Sequence, residues 1–220
     1  MTSSEPLEIA RPAVASSPPR PAGGLRARKK ARTRSAIRAE AIRMFTEQGY
    51  AATTVEQIAE AADISPSTFF RYFPTKEAVL LTDEYDPVFF ETFRSQPPAM
   101  SVIRAFRNAN QVMFAQVGPQ AQEQEWSRFA LLKSAPELRA ALFNQYALSL
   151  VQIAELIGER IGRPGDDVRV RTLAGALVGV SLSVTLELME SDHPEVDLSQ
   201  VAARLDTAME LLEAGLPLFD

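Results

Sequence analysis

The sequence predicts an all-α protein, and three observations carry that prediction. Apolar residues recur at helical spacing from about residue 26 to the end of the chain. No segment alternates apolar and polar residues in the way that a half-buried strand requires. Breaks such as Pro97-Pro98 and Gly118-Pro119 divide the pattern into about nine segments, three small helices followed by about six longer ones.

Composition excludes several classes of site. The chain contains no Cys and one His, His193, so disulfides, Cys-ligated zinc, iron-sulfur clusters and thiol nucleophiles are excluded. No glycine-rich phosphate loop is present and His193 precedes Pro194 in a predicted loop, so we expect no catalytic residue, no metal and no cofactor. The N-terminus lacks a signal pattern, and the longest uncharged apolar run, 172–186, is shorter than the roughly 18 residues of a membrane span. The sequence therefore predicts a non-enzymatic protein of the cytoplasm.

Charge is distributed unevenly along the chain. The net charge is -5, yet residues 1–80 carry 12 basic and 8 acidic groups, whereas residues 81–220 carry 11 basic and 20 acidic groups. A basic N-terminal part joined to an acidic body is typical of a protein that presents one region to phosphates. A solvated tail followed by an acidic domain is the alternative that charge alone leaves open.

The N-terminal part begins with a predicted disordered arm and continues as a helix. Residues 1–25 hold five of the fifteen prolines and show no periodicity. From Arg26 to Arg43 there are eight basic residues and one acid, Glu40, while apolar residues share one helical face. We expect this first helix to end at Gly49, because glycine accepts the left-handed conformation common just past a helix end. The apolar face consists of Ile37, Ala41, Met44 and Phe45.

Two overlapping capping boxes precede the second helix. They pair Thr53 with Glu56, or Thr54 with Gln57. Apolar residues at helical spacing follow directly, so the sequence predicts a second, short helix. These residues are Val55, Ile58, Ala59 and Ala62.

A tight turn at Asp63-Ile64 introduces the third helix. Ser65 is a good N-cap, and Pro66 occupies the first helical position, where its missing N–H costs nothing. The helix should end near Pro74 and span only about two turns. A fourth helix is predicted to start at Thr75-Lys76-Glu77 and to be kinked at Pro87.

Two short helices joined by a tight turn form the helix-turn-helix unit of DNA-binding proteins. Phe69 and Phe73 share one face of the third helix and should fix it onto the first two helices. The opposite face carries hydrogen-bond donors and a guanidinium, which a helix in the major groove requires. A plain three-helix packing unit with solvated cations is the alternative. The outward residues form two i, i+4 pairs, Ser67 with Arg71 and Thr68 with Tyr72.

Long stretches around this unit resemble the DNA-binding domain of the TetR family over residues 30–80. The stretches are 45–50 (FTEQGY), 54–59 (TVEQIA) and 64–77 (ISPSTFFRYFPTKE). The resemblance implies an all-helical homodimer in which three N-terminal helices bind DNA, while a divergent C-terminal domain dimerises and holds an effector. Phe70 departs from the Tyr common in the family, which places one hydroxyl contact in doubt. The residues implied to contact DNA are Thr54, Ser65, Ser67, Thr68, Arg71, Tyr72 and Lys76.

Two apolar helices near the C-terminus are candidates for a four-helix dimer interface. One carries a stripe of small residues, Gly175, Gly179 and Ser183, that permits close approach of a neighbouring helix. The last helix carries a second apolar stripe, and we expect a homodimer through these last two helices. Packing within one chain is the alternative, and both can hold. The second stripe comprises Leu198, Val201, Leu205, Ala208 and Leu212.

Aromatic residues concentrate between residues 85 and 132, which hold eight of the seventeen in the chain. Such residues with a few polar groups can line a pocket for an apolar or amphipathic ligand, although ordinary core is the more frequent role. The stretches 128–132 and 136–140 resemble TetR-like regulators of the acyl-CoA-ligand type found beside mycofactocin genes. The candidate ligand-binding residues are Phe89, Phe93, Phe106, Asn110, Phe114, Trp126, Arg128 and Phe129.

Together these observations predict an N-terminal arm (1–25), a helix-turn-helix DNA-binding domain (26–80) and a helical effector-binding and dimerisation domain (81–220). We expect a ligand-responsive repressor that binds a pseudo-palindromic double-stranded operator as a homodimer. Release would follow binding of a hydrophobic or acyl-CoA-like effector. An activator of the same fold and a helical protein-binding module without DNA function are the alternatives.

Overall fold

The computed structural model of the chain describes residues 25–81, 86–190 and 197–216. All regular structure within these residues is helical, which confirms the all-α prediction. Ten helical segments are described, two of which flank the undescribed residues 82–85, and this number is close to the predicted nine. They are α1 (Leu25–Gln48), α2 (Val55–Ala61), α3 (Pro66–Tyr72), α4 (Ala78–Leu81), α5 (Asp86–Ser95), α6 (Val102–Phe114), α7 (Pro119–Ser134), α8 (Pro136–Ile161), α9 (Val168–Glu190) and α10 (Leu198–Glu213). The predicted arm, apart from Leu25, and His193 lie outside the described residues.

The connection from α1 to α2 follows the sequence signals. Gly49 has a φ of 89°, and its N–H donates to the Phe45 carbonyl at 3.1 Å, which ends α1. Of the two capping boxes, the one between Thr54 and Gln57 forms: Thr54 N donates to Gln57 Oε1 at 2.8 Å, and Gln57 N donates to Thr54 Oγ1 at 3.2 Å. The Thr53 side chain is instead buried and donates to the Gly49 carbonyl at 2.9 Å.

The turn between α2 and α3 is tight, as the sequence predicts. Asp63 has a φ of 53°, a left-handed conformation that Asp adopts more readily than most residues with a side chain. Ile64 N donates back to the Ala59 carbonyl at 2.9 Å. Ser65 then caps α3, because its Oγ accepts from Thr68 N at 3.2 Å.

The predicted fourth helix lies partly outside the described residues. Ala78–Leu81 and Asp86–Ser95 are helical on either side of residues 82–85, which the structure does not describe. Pro87 lies within the second of these helical segments. One helix with a kink at Pro87 therefore stays a prediction.

Two hydrophobic cores organise the helices. The N-terminal core joins α1 to α4 and is completed by three residues from beyond the predicted boundary, Leu131 and Leu132 of α7 and Leu138 of α8. The second core lies among α5, α6, α8, α9 and α10. The unit formed by α1 to α4 thus packs directly on the C-terminal helices.

The last helix uses its apolar stripe inside the chain. Leu198, Val201 and Leu205 are buried in the second core, where α10 packs against α6 and α9. These three side chains pack within their own chain, as the alternative of intramolecular packing predicts. A homodimer through the last two helices stays a prediction, because Ala208 and Leu212 of the same stripe are only half-buried. The stripe on α9 differs, since Gly179 and Ser183 are exposed.

Two helices carry more apolar surface than their own chain covers. By length and composition alone, α8 and α9 are long and apolar enough to cross a membrane, although the longest uncharged apolar run in the sequence, 172–186, is shorter than a span. Most residues in these windows are not buried within the chain. Large exposed residues on α8 include Phe143, Leu148 and Val151, each about half exposed. Such surface marks a contact region for another molecule.

Candidate nucleic-acid interface and ligand cavity

Helix α3 is held in place by two phenyl rings. Phe69 and Phe73 are fully buried in the N-terminal core, with ring centroids 5.8 Å apart. The core around them contains Phe45 and Ile58 from α1 and α2. Because these anchors fix the rotation of α3, the residues on its other side face solvent.

The outer face of α3 combines hydroxyls, a guanidinium and one exposed ring. Ser65 Oγ lies 2.9 Å from Ser67 Oγ and 3.0 Å from Thr68 Oγ1, so three hydroxyls form one hydrogen-bonded group at the start of the helix. Arg71 is exposed, and its guanidinium lies 5.6 Å from the ring centroid of the half-buried Tyr72. Phe70 is half exposed and places an apolar ring on the same surface.

The remaining predicted contact residues flank α3. Thr54 is exposed at the start of α2, where its side chain takes part in the capping box. Lys76 is half-buried, and its Nζ donates to the carbonyl oxygens of Tyr50 at 2.8 Å and Thr53 at 2.9 Å. It also lies 4.0 Å from the Tyr50 ring centroid. Burial lowers the pKa of Lys76. Lys76 therefore has a structural role that its sequence position did not indicate.

A cavity of about 280 Å³ lies within the C-terminal helices. Six of the eight candidate ligand-binding residues line it. Phe93 does not, because it is fully buried in the second core, 6.4 Å from Phe106 between ring centroids. The side chain of Trp126 lies outside the described residues. The six lining residues are Phe89, Phe106, Asn110, Phe114, Arg128 and Phe129.

Sequence reasoning missed a polar group on the opposite wall. Tyr146 Oη and Thr185 Oγ1 lie 2.6 Å apart, and Tyr146 also donates to the Ser181 carbonyl at 3.4 Å. Burial raises the pKa of the Tyr146 phenol. A signal existed, because Gln145, Ser149 and Gln152 fall at i, i+4 and i+7 on one face of α8, and all three line the cavity.

Arg128 connects this cavity to α4. Its Nη2 and Nε lie 2.6 and 2.7 Å from Glu125 Oε2, in a pair where both side chains are largely buried. Its Nη1 donates to the carbonyl oxygen of Leu80 at 2.9 Å. Leu80 is fully buried in the N-terminal core. One side chain thus lines the cavity and holds the helix that follows the DNA-binding candidates.

The described residues contain no group of three or more His, Asp or Glu side chains placed to hold a metal ion. The polar groups that line the cavity are hydroxyls, amides, the Asp86 carboxylate and the Arg128–Glu125 ion pair. Such groups bind a ligand by hydrogen bonds and orient it, and the surrounding rings contribute apolar contact.

The chain matches two sequence profiles that together span most of its length. The profile of the bacterial regulatory proteins of the tetR family matches residues 37–82, and that of the MftR C-terminal domain matches residues 100–217. The second match confirms that the C-terminal part resembles the mycofactocin-associated regulators.

Three relatives are similar over most of their length. The chain is 31% identical over 213 residues to the HTH-type transcriptional regulator TcmR of Streptomyces glaucescens, covering 93% of this chain and 92% of TcmR. It is 26% identical over 196 residues to the regulator MftR of Mycobacterium tuberculosis, whose name refers to mycofactocin biosynthesis, covering 86% and 93%. It is 28% identical over 180 residues to the HTH-type transcriptional regulator EthR of Mycolicibacterium smegmatis, covering 78% and 81%. All three are named transcriptional regulators.

Proposed function

The chain belongs to the TetR family of bacterial transcriptional regulators, and from this premise we propose that it is a cytoplasmic repressor that leaves its operator when an effector binds. The observation that carries the proposal is the anchoring of α3. Two buried rings hold this helix while Ser67 and Arg71 remain exposed on its outer side. A helix so fixed presents its outer face to a major groove without first having to order itself.

The outer residues divide into two roles. Arg71 and Ser67 are the base-reading residues, because a long guanidinium reaches base edges and a small hydroxyl permits close approach. Phe70 contacts a thymine methyl group, where the Tyr common in the family would offer a hydroxyl. The residues that contact phosphates and set the register are Thr54, Ser65, Thr68, Tyr72 and Lys76.

The homodimer forms through α8 and α9. Leu148 and Val151 of α8 are exposed, and α9 presents Gly179 and Ser183 on its outer side. A Cβ added at Gly179 meets no atom of its own chain within 4 Å, so the backbone there is open to close approach by a second copy. Two protomers joined in this way place their α3 helices in successive major grooves, roughly 34 Å apart, on a pseudo-palindromic site.

The effector occupies the aromatic cavity. The rings of Phe89, Phe106 and Phe129 accept an apolar body, and Tyr146 and Asn110 hydrogen-bond a polar end. Arg128 is the one cation of the cavity wall, and Glu125 already holds it, so the wall offers little compensation for an anionic group. An acyl chain fits this lining better than the phosphates of a coenzyme A headgroup, which would have to lie outside it.

Coupling between the two sites passes through Arg128. A ligand that displaces this side chain from Glu125 also weakens its hydrogen bond to the Leu80 carbonyl, which frees α4 to move. Lys76, at the entrance to α4, bonds the turn before α2. For release to follow, the ligand must bind the moved arrangement more tightly, since equal affinity for both arrangements shifts nothing.

A gel-shift titration on DNA that flanks the protein's own gene tests the proposal. We expect a retarded complex that survives excess unrelated duplex and weakens steeply as salt rises. A purified, folded protein that shows no salt-dependent binding to any duplex would contradict the proposal and favour a protein-binding module.

A further inference from the structure

The N-terminal half of α1 contains no buried residue among the positions whose side chains the structure describes. Helix α1 is described from Leu25 and burial from Lys29, and the first buried core residue after that is Ile37. At 1.5 Å per residue, the twelve helical positions from Leu25 to Ala36 extend about 18 Å. We call residues 25–36 the basic segment. Burial in the N-terminal core does not explain why residues 29–36 are helical.

The basic segment carries charge of one sign. It contains Arg26, Arg28, Lys29, Lys30, Arg32 and Arg34, and no acidic residue. The C-terminal half of α1 is different, because Arg43 is paired there with Glu40 at 2.8 Å and Glu47 at 2.6 Å. Six like charges on one helical stretch repel each other, so an acidic partner would stabilise the segment.

The charges of the basic segment are available to such a partner. Lys29, Lys30 and Arg32 are exposed, and they form no ion pair within the described part of the chain. Arg34 is the one residue there with a buried side-chain nitrogen, Nε, that has no hydrogen-bond partner. The residue as a whole is partly exposed, so a phosphate oxygen can reach the outer part of this guanidinium and leave Nε buried.

Two contacts fix the direction of the basic segment relative to α3. The Arg34 guanidinium lies 4.8 Å from the ring centroid of Phe73, the residue that ends α3. One turn further on, Arg38 is buried and its Nε donates to the Val79 carbonyl of α4 at 3.1 Å. These two contacts therefore hold the C-terminal end of the basic segment against the C-terminal end of α3 and against α4.

We propose that the basic segment is a second DNA contact that binds phosphates flanking the half-site read by α3. This inference rests on the proposed function, since it requires α3 to bring the duplex to this surface. The contact is independent of sequence, because Lys and Arg side chains on phosphates carry no base information. It contributes affinity and a steeper salt dependence, and it lengthens the duplex that each protomer occupies.

The test compares four full-length proteins, the wild type and three variants, on duplexes labelled for fluorescence anisotropy. The variant Lys29→Ala/Lys30→Ala/Arg32→Ala removes three exposed charges and keeps good helix formers. The control Arg43→Ala removes an exposed, ion-paired charge from the same helix. Each protein is titrated against the DNA flanking its own gene and against a duplex of arbitrary sequence, between about 50 and 200 mM salt.

We expect the triple variant to lower the salt slope by about 2 to 3 per protomer on both duplexes, at roughly 0.9 per phosphate contact. Arg43→Ala should retain the wild-type slope. A Gln triple at the same positions should behave like the Ala triple, which excludes an effect of helix propensity. A wild-type slope in both triples would overturn the inference and leave the proposed function intact. Absence of binding by the wild type would overturn both.

Anionic vesicles serve as the competing surface. One outcome is that the wild type cosediments with vesicles rich in phosphatidylserine, whereas the triple variant does not, and that both have the same salt slope for DNA binding. This outcome would assign the segment to a membrane and overturn the DNA contact. Loss of the DNA slope with no vesicle binding by the wild type supports the inference.

Discussion

Lys76 Nζ donates a hydrogen bond to the carbonyl oxygen of Thr53 at 2.9 Å, across the groove between α4 and the turn that precedes α2. The same ammonium bonds the carbonyl oxygen of Tyr50, so two of its three N–H groups serve the fold. Thr54, the next residue, caps α2. Lys76 therefore holds the turn next to Thr54, which is a candidate DNA contact, and its third N–H group is left for a phosphate oxygen.

Lys76→Met should reduce both stability and DNA affinity. Losing the bonds to two carbonyls should lower the free energy of unfolding by about 1 to 2 kcal/mol, measured by urea denaturation. Affinity should fall equally for specific and unrelated duplexes. Lys133→Met, at an exposed position of α7, serves as the control. Unchanged stability with a reduced salt slope would restrict Lys76 to phosphate binding.

Arg71→Ala should weaken operator binding and relax sequence preference. A base-edge contact of arginine discriminates by about 1 to 3 kcal/mol, so we expect roughly a 5- to 150-fold loss of affinity in gel shifts. Binding to unrelated duplex should change much less. Arg43→Ala should match the wild type. An equal loss on all sequences would place Arg71 on a phosphate instead.

Gly179→Glu should dissociate the dimer without unfolding the chain. The added side chain meets no atom of its own protomer near Cβ but would lie in the proposed interface with a charge. Sedimentation velocity should show monomers, while circular dichroism stays helical. Leu211→Glu, on the exposed side of α10, should remain dimeric. Dissociation by Leu211→Glu alone would return the interface to α10.

Ligand charge should decide binding in the cavity. We expect decanol to raise the melting temperature more than decanoate does, because Glu125 already neutralises Arg128 and a second carboxylate must enter uncompensated. Ser149→Phe, which fills part of the cavity, should reduce the shift with either probe. A larger shift with decanoate would contradict this account and restore an anionic effector.

Acid should weaken the contact between α6 and α10. A hydrogen bond from Arg107 lowers the pKa of Asp206 below its ordinary value of 3.8, with Arg107 Nε 2.8 Å from Asp206 Oδ1. The resulting stability is present above that ordinary value and is lost as pH falls through the lower value of the folded state. Asp206→Asn should therefore lower the free energy of unfolding near neutral pH. In urea denaturation, the free energy of unfolding of this variant should also fall less steeply with acid than that of the wild type. An equally steep fall in both proteins would contradict a stabilising pair of Arg107 and Asp206.

Local signals in the sequence predicted the DNA-binding half well. The caps at Thr54 and Ser65, the turn at Asp63 and the buried face of Phe69 and Phe73 all follow from rules that involve residues a few positions apart. Contacts made over long separations were not predictable. The bonds from Lys76 to a turn 23 residues earlier require the packed fold, and no spacing rule encodes them.

The cavity shows the same division. Aromatic clustering identified Phe89, Phe106 and Phe129, since these residues lie within one stretch of sequence. Tyr146 and Thr185 come from two later helices, and only their 2.6 Å contact reveals that they form the polar wall. The stripe on α10 illustrates a related limit, because three of its residues pack within their own chain. An apolar stripe predicts that one face of a helix is buried. Whether that face packs against its own chain or against a partner depends on the tertiary fold.

The completion of the N-terminal core by Leu131, Leu132 and Leu138 bears on how such regulators can be re-engineered. Residues 25–81 cut out alone would expose Ile37, Phe73 and Leu80 to water, and a chimera that grafts them onto a foreign sensor would have to supply three matching leucines. Heating should accordingly unfold residues 25–81 and the C-terminal helices in one transition, so any change to the C-terminal helices must keep these three leucines to leave the N-terminal core packed.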